Sequence, residues 1–375
     1  MKHNKKNLRI VKLKEICTIQ DGIHTTPKYT KSGIKFISAE NINNIHSSNK
    51  FISKEDYNNL YKIKAKKNDI FMTRIGNIGI PAIVQKDEDI AYYVTVCLFT
   101  NINKDVYYKY LYYSILSCNF QKELISKTLH AAFPKKINMH EIGECRIALP
   151  PIEEQKRIAE ILTICDNVIE NLNQLIEKKE LYKKGVMQKL LSGEVRFKEF
   201  NDKWRVKKLS EISRSIKTGK LDANAMEENG KYRFYTCAKE YYTINTYAFD
   251  GEALLISGNG AYVGYIHYYK GKFNAYQRTY VLMDFTENIK YIKYYLDLFL
   301  KQKIKKERNK GNTPYIVLST LTDMTIKLPS IEEQNKISEL IFIIDKQIDN
   351  LKMLLHLHKQ QKKGIMQKLF KNNIF

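Results

Sequence analysis

Glu154-Gln155-Lys156 imitates the Glu-x-Lys of a metal-dependent nuclease, and it is the first place in this 375-residue chain where side chains are spaced as if for catalysis. The sequence tests that reading itself, because 179 positions later the same stretch reads Glu333-Gln334-Asn335 and the lysine is gone. Other catalytic signatures are missing too. There is no Asn-Pro-Pro-Tyr or Asp-Pro-Pro-Tyr of the amino-methyltransferases, no His-Glu-x-x-His, no G-x-S-x-G, no P-loop and no dinucleotide fingerprint leading into a helix. The six cysteines, Cys17, Cys97, Cys118, Cys145, Cys165 and Cys237, stand singly, with no C-x-x-C and no histidine at ligand spacing. Neither a metal site nor a disulfide framework is indicated, and they are expected to be small buried hydrophobes.

What the chain does offer is recognition chemistry. Arg, Lys, Asn and Gln present the paired hydrogen-bonding groups that read base edges. They gather near glycine-rich turns: Arg74 and Asn77 in the first half, Asn259, Gln277 and Arg278 in the second. Two polar, basic segments, 130–136 and 310–314, have the composition to touch a phosphate backbone, with Lys135, Lys136, Lys310 and Asn312 as contact candidates. Lys plus Arg number 63 against 40 Asp plus Glu, a formal charge of +23 that favours a polyanionic partner, either nucleic acid or an anionic membrane surface. No run of about 18 apolar residues occurs, and Met1-Lys-His-Asn-Lys-Lys lacks the apolar core of a signal peptide, so a cytoplasmic protein without a membrane partner is expected.

These candidates are positioned by a chain that is built twice. Residues 149–191 and 328–370 align without a gap over 43 positions with 21 identities. Within each copy apolar residues recur at alternating spacings of four and three: Ile158, Leu162, Cys165, Ile169, Leu172 and Ile176, then Ile337, Ile341, Ile344, Ile348, Leu351 and Leu355. Such a stripe describes a helix that buries one narrow seam against another helix. Leu149-Pro150-Pro151 and Leu328-Pro329-Ser330 mark the helix starts, since proline cannot continue a helix interior, and the Glu-Glu pair that follows suits the first turn. From Ile158 to Leu191 the seam-bearing rod would run roughly 50 Å. Asp166 matches Asp345, and Lys183-Lys184-Gly185 matches Lys362-Lys363-Gly364. A helical glycine costs about 1 kcal/mol relative to alanine, so Gly185 and Gly364 are expected to permit close helix approach, with contact to a partner subunit as the other reading.

The two variable blocks open alike, Val11-Lys12-Leu13-Lys14-Glu15-Ile16 against Val206-Lys207-Lys208-Leu209-Ser210-Glu211-Ile212, so their folds should match. Each carries a strand-like run into a Gly-Asn turn, Gly76-Asn77 and Gly258-Asn259, which reads as a hairpin. Further strands are expected at 91–96 and 275–282, then helices from about Asp105 and Asn288.

The pattern of block, Leu-Pro-Pro-Ile-Glu-Glu-Gln helix, block and Leu-Pro-Ser-Ile-Glu-Glu-Gln helix resembles the specificity subunit of type I restriction-modification systems, and the resemblance covers nearly the whole chain. The 149–169 signature, the exit Leu190-Leu191-Ser192-Gly193-Glu194-Val195-Arg196-Phe197, and the 256–264 and 271–280 stretches carry it. It implies a mixed α/β (α+β) chain of two globular target-recognition domains joined by two long helices forming an antiparallel coiled coil with pseudo-twofold symmetry. The expected boundaries are 1–148, 149–197, 198–327 and 328–375. It further implies that each domain reads one half of a split site in double-stranded DNA while the helices set the gap. Two methyltransferase subunits and the restriction subunits would be the partners, and S-adenosylmethionine, ATP and magnesium would belong to them, with no cofactor in this chain. The alternatives are a self-contained methyltransferase or nuclease, and a coiled-coil scaffold that binds only protein.

Overall fold

The structure, a computed structural model, describes residues 8–307 and 315–371; Lys310 and Asn312 therefore lie outside the described residues. The repeats form two helices of 41 residues each, Ile152–Ser192 and Ile331–Lys371, starting where the prolines require. The chain divides into two compact units: one comprises residues up to Asn173 together with those from Leu354 onward, the other Gln174–Met353. Each repeat helix is thus divided between the units, and each unit contains one head, the first half of the helix that follows it and the last part of the other helix.

In the first unit the head holds a four-stranded antiparallel sheet in the order Thr18–Asp21, Val96–Thr100, Ile70–Thr73, Pro81–Ile83, and a three-stranded sheet in the order Phe51–Ile52, Ile34–Ile37, Ile90–Tyr92. Helices Tyr108–Leu116 and Cys118–Ser126 follow, broken at Ser117. Arg9–Lys12 pairs antiparallel with Arg146–Leu149, tying the start of the head to the strand that enters the helix. Seam residues Ile158 and Leu162 join the head's core together with Ile365, Met366, Leu369 and Phe370 from the other helix. The outer end of the expected seam is therefore head core as well as helix contact.

In the second unit the head is a single six-stranded sheet: Ser213–Thr218, Thr279–Phe285, Phe249–Ser257, Ile266–Ala275, Tyr232–Tyr235, Tyr242–Ile244. Its fold matches the first head strand for strand. The ten-residue strand Ile266–Ala275 occupies the place of Pro81–Ile83 plus Ile90–Tyr92, and both heads pair that last portion with a parallel neighbour. The charged run Lys86-Asp87-Glu88-Asp89 interrupts the strand in the first head and splits its sheet in two. Helix Ile289–Glu307 covers one sheet face, and Arg205–Lys208 pairs with Thr325–Leu328 as the closing strap. Ile337 and Ile341 enter this core with Met187, Leu190 and Leu191.

Of the remaining seam positions, Leu172, Ile176, Ile344 and Ile348 are buried, whereas Cys165, Ile169, Leu351 and Leu355 are half-buried. The Glu-Glu-Gln motif earns its place structurally. Gln155 is fully buried: its Oε1 accepts from the Tyr107 N–H at 2.8 Å, and its Nε2 donates to the carbonyls of Asp105 at 2.9 Å and Pro150 at 2.8 Å. Gln334 repeats the latch, accepting from the Asn288 N–H at 3.1 Å and donating to Glu287 at 2.8 Å and the Pro329 carbonyl at 3.1 Å. Each glutamine fastens a repeat helix to the start of its head's own helix. Lys156, the lysine of the nuclease lookalike, is exposed and pairs with Glu153 at 2.9 Å.

Three expectations need correction. A Cβ built on Gly185 or Gly364 would meet nothing within 4 Å, so neither glycine serves close helix packing inside its unit. Cys17, Cys97 and Cys145 are buried, but Cys118 is exposed and Cys165 and Cys237 are intermediate. Burial pushes the Cys17 and Cys145 thiols up to about 12, far from a reactive thiolate. The strands expected over 91–96 and 275–282 are each two strands, with Tyr93, Val94 and Thr95 and then Tyr276, Gln277 and Arg278 forming the turns between them.

Candidate nucleic-acid interface

The loops carrying the base-reading candidates collect at one end of each head's sheet, and main-chain hydrogen bonds fix which positions correspond. In the first head the N–H of Arg74 donates to the Thr95 carbonyl, that of Ile137 to the Arg74 carbonyl, and that of Val94 to the Ile23 carbonyl, at 2.9, 3.0 and 2.9 Å. In the second head Gly258 donates to Arg278, Ile316 to Gly258 and Gln277 to Leu221, at 2.9, 2.7 and 2.9 Å. Strand register adds Asp21 opposite Cys97 and Thr218 opposite Tyr280. Arg74 therefore corresponds to Gly258, Ile75 to Asn259, Val94 to Gln277, Thr95 to Arg278, Lys136 to Tyr315 and Asp21 to Thr218.

The Gly-Asn dipeptides that look alike in sequence are not equivalent. Gly76 corresponds to Gly260, and these two carry the positive φ of the turn, 83° and 76°. Gly22 and Gly219 have a different role: a Cβ there would meet backbone oxygens of Tyr93 and Ala275 at 2.3 and 1.8 Å, so both turns need bare backbone where two segments cross.

On this common frame the side chains diverge. Arg74, expected to read a base, is only 6% exposed. Its Nη1 donates to Asp21 at 3.1 Å and to the Val94 carbonyl at 3.1 Å, and its Nε donates to the Ile137 carbonyl at 3.3 Å. A guanidinium so engaged pins three loop segments together and does not face solvent. Asn77, Lys135 and Lys136 are exposed on the first head's loops, and an antiparallel bridge between Ile75 and Lys136 holds the basic segment against the turn. In the second head Gln277 and Arg278 are exposed, Asn259 is half-buried, and Asn259 and Tyr315 form the matching bridge. The Gln277 amide nitrogen donates to Asp222 at 3.3 Å. Tyr280 donates its hydroxyl to the Ile316 carbonyl at 2.9 Å; burial raises its phenol above the usual range against the opposing pull of the Arg278 cation. Thr218, Tyr280 and Tyr315 escaped the sequence reading because nothing local distinguishes them; only the strand register brings them to Asn259, Gln277 and Arg278.

Residues 5–180 and 201–357 match the family described as type I restriction modification DNA specificity domain. The chain belongs to that family. It is similar to the type I restriction enzyme EcoDI specificity subunit of Escherichia coli, 41% identical over 155 residues, which is 40% of this chain and 33% of the relative. The MjaVIII specificity subunit of Methanocaldococcus jannaschii is 32% identical over 51% of this chain and 47% of its own length, so these two alignments span about a third and about half of the relatives. A putative type I specificity subunit of Mycoplasma pneumoniae is 27% identical over 76% of this chain and 78% of its own. In fold, the chain resembles the type I restriction-modification S subunit from M. genitalium, with a TM-score of 0.66, 19% identity and 98% of both chains covered. A chain from a study of complex assembly and conformational transition in the type I system gives a TM-score of 0.57 at 16% identity, covering 97% of this chain and 98% of the other.

Within this specificity-family chain the duplicated Asp and Lys of the repeats find each other. In the first unit Lys362 pairs with Asp166, which also accepts from the Tyr113 hydroxyl at 2.8 Å. In the second unit Lys183 pairs with Asp345 at 2.5 Å, and Asp345 accepts from Tyr294 at 3.0 Å. Each lysine also lies near its tyrosine ring, at 5.6 and 5.8 Å from the centroid. The same Asp-Lys-Tyr clasp thus ties head, first helix and second helix in both units, and within each unit the two helix segments run antiparallel.

Proposed function

We propose that this chain is the DNA-specificity subunit of a type I restriction-modification complex, each head reading one half of a bipartite, asymmetric site in double-stranded DNA while partner subunits perform the chemistry. One observation carries the reading: two heads of the same fold present unlike side chains at matching loop positions, Asn259 for Ile75, Gln277 for Val94 and Arg278 for Thr95. A repeated scaffold with diverged loops is what two different half-sites demand. Each mismatched base pair costs about 1 to 3 kcal/mol, so two short readings multiply into useful selectivity, and the charge of +23 supplies the salt-sensitive, sequence-independent share. The relatives are named specificity subunits, which leaves a self-contained methyltransferase or nuclease, or a protein-only scaffold, without support. Adenine-methylation mapping in a host whose copy has residues 1–148 exchanged for another family member's is expected to change one half of the methylated motif and keep the other. If both halves stay the same, the assignment fails.

The partners in this reading are methyltransferase subunits, two of them, with restriction subunits added, and S-adenosylmethionine, ATP and magnesium bound there. Each unit exposes apolar residues at repeat-related helix positions. Ile161, Ile164 and Leu354 on the first unit, 36%, 57% and 41% exposed, correspond by the repeat to Leu340, Ile343 and Leu175 on the second, of which Ile343 and Leu175 are 47% and 42% exposed. Gly364 and Gly185 lie on the same helix segments with open space above them. An alanine there adds helix propensity at no steric cost, so G185A and G364A should each stabilise the free chain by up to about 1 kcal/mol. The same variants should weaken assembly with the methyltransferase, because a partner that approaches bare backbone meets the added methyl. Calorimetry and sedimentation of the reconstituted complex test both halves of this; assembly as tight as wild type would remove the glycines from the docking face.

A further inference from the structure

We propose that the second head reads a guanine edge in a recess that the first head has closed with its own Arg74–Asp21 pair, so the two heads do not read DNA with equivalent residues. The proposal rests on the chain being a DNA-specificity subunit. In the second head a cavity of about 460 Å³ opens at the end of the sheet, walled by Thr218, Gly258, Asn259, Gln277, Arg278 and Tyr280, with Tyr315 at its side. Position by position, this is where Arg74 sits in the first head. There the residue matching Gly258 sends its guanidinium to the residue matching Thr218, to the carbonyl matching that of Gln277, and to the carbonyl matching that of Ile316. With glycine in place of Arg74 and threonine in place of Asp21, no plug forms. Tyr280 takes over the Ile316 carbonyl, and among the described residues the rest of the space is open.

The chemistry of the walls points to one ligand. Arg278 is exposed and makes no ion pair or side-chain hydrogen bond among the described residues, and its planar fork of donors matches the O6 and N7 acceptors that guanine shows in the major groove. The other described walls are uncharged: two amides, a hydroxyl and two tyrosine rings. Tyr315 is 63% exposed, so one wall of the recess is an aromatic face turned to solvent. Among the described residues the first head has no counterpart to this fork, since Val94 and Thr95 stand where Gln277 and Arg278 do, and Arg74 is paired with Asp21.

The test uses the complete complex with its methyltransferase subunits and methylation mapping of host DNA, for wild type, R278K, R278A and V94A, the last at the first-head position that matches Gln277, next to the Arg278 counterpart Thr95. R278K keeps the charge and loses the fork. Both Arg278 variants are expected to relax one guanine position of one half-site by about tenfold or more, with the other half-site unchanged and V94A indistinguishable from wild type. Duplex DNA carrying 7-deazaguanine at that position should lower wild-type binding by a similar factor and R278A binding no further. If R278K selects both half-sites as wild type does, Arg278 is a phosphate contact and the guanine recess is overturned. A V94A variant that alters its half-site would overturn the asymmetry. Should wild type methylate no bipartite motif, the specificity-subunit reading itself falls, an outcome separate from either of these.

Discussion

Replacing Arg196 with alanine is expected to destabilise the second unit by about 3 kcal/mol, because it leaves a buried carboxylate without its partner. Glu333, in the first turn of its helix, has a fully buried side chain. Arg196 grips it with two hydrogen bonds of 3.0 and 2.7 Å, donates a third to the Asp202 carbonyl at 2.8 Å, and lies 5.8 Å from the Trp204 ring. The carboxylate holds the guanidinium's pKa above its ordinary value. Removing one partner of such a pair costs about 3 to 5 kcal/mol, and since the Arg196 side chain is 24% exposed the lower end applies. For a unit of this size that is a fall in melting temperature on the order of 6–12 °C. Replacing both partners by apolar residues, R196M with E333L, should recover most of the loss, since no buried charge remains. Thermal unfolding of wild type and the two variants decides it: an R196A melting within a degree of wild type would show that Glu333 is not held by this pair.

The pair also shows where sequence reading stops. The Leu-Pro-Pro-Ile-Glu-Glu-Gln opening is legible as a helix start because proline and the macrodipole act locally, and the helices begin at Ile152 and Ile331 as those residues require. That Glu333 would meet Arg196, 137 positions away, depends on where the previous helix exits, which no local pattern encodes. Gln155 and Gln334 are alike in this respect: polar residues in a first helical turn read as exposed, and only the approach of the head's own helix buries them. The interface was half legible. Gln277, Arg278 and Asn259 stand together at the cavity, but Arg74 turns inward to Asp21, 53 positions upstream, and the matching Gly-Asn pairs suggested an alignment that the main-chain hydrogen bonds shift by two residues.

Inserting four helix-favouring residues after Asn173 alone is expected to abolish assembly, whereas the same insertion after both Asn173 and Lys352, its repeat equivalent, should give an active complex whose methylated motif has a longer spacer. Two clasps, each within its own unit, set the constraint. Along the first helix Asp166 and Lys183 are 17 residues apart, and along the second Asp345 and Lys362 are also 17 apart. Lys362 must reach Asp166, and Lys183 must reach Asp345. Four residues added to one helix lengthen one path by about 6 Å and leave the other unchanged, more than an ion pair spans, so one unit must give up its clasp together with the burial of Leu172 in the first unit or of Ile176, Ile344 and Ile348 in the second. Adding four to both restores equal paths, and because four residues turn a helix by little more than one revolution, the seam returns to nearly the same face. Six ångströms correspond to about two base pairs of duplex at 3.4 Å per step. Methylation mapping reads the outcome directly: an unchanged spacer in the paired variant, or a working complex from the single insertion, would mean that the chain between the clasps does not set the distance between the half-sites.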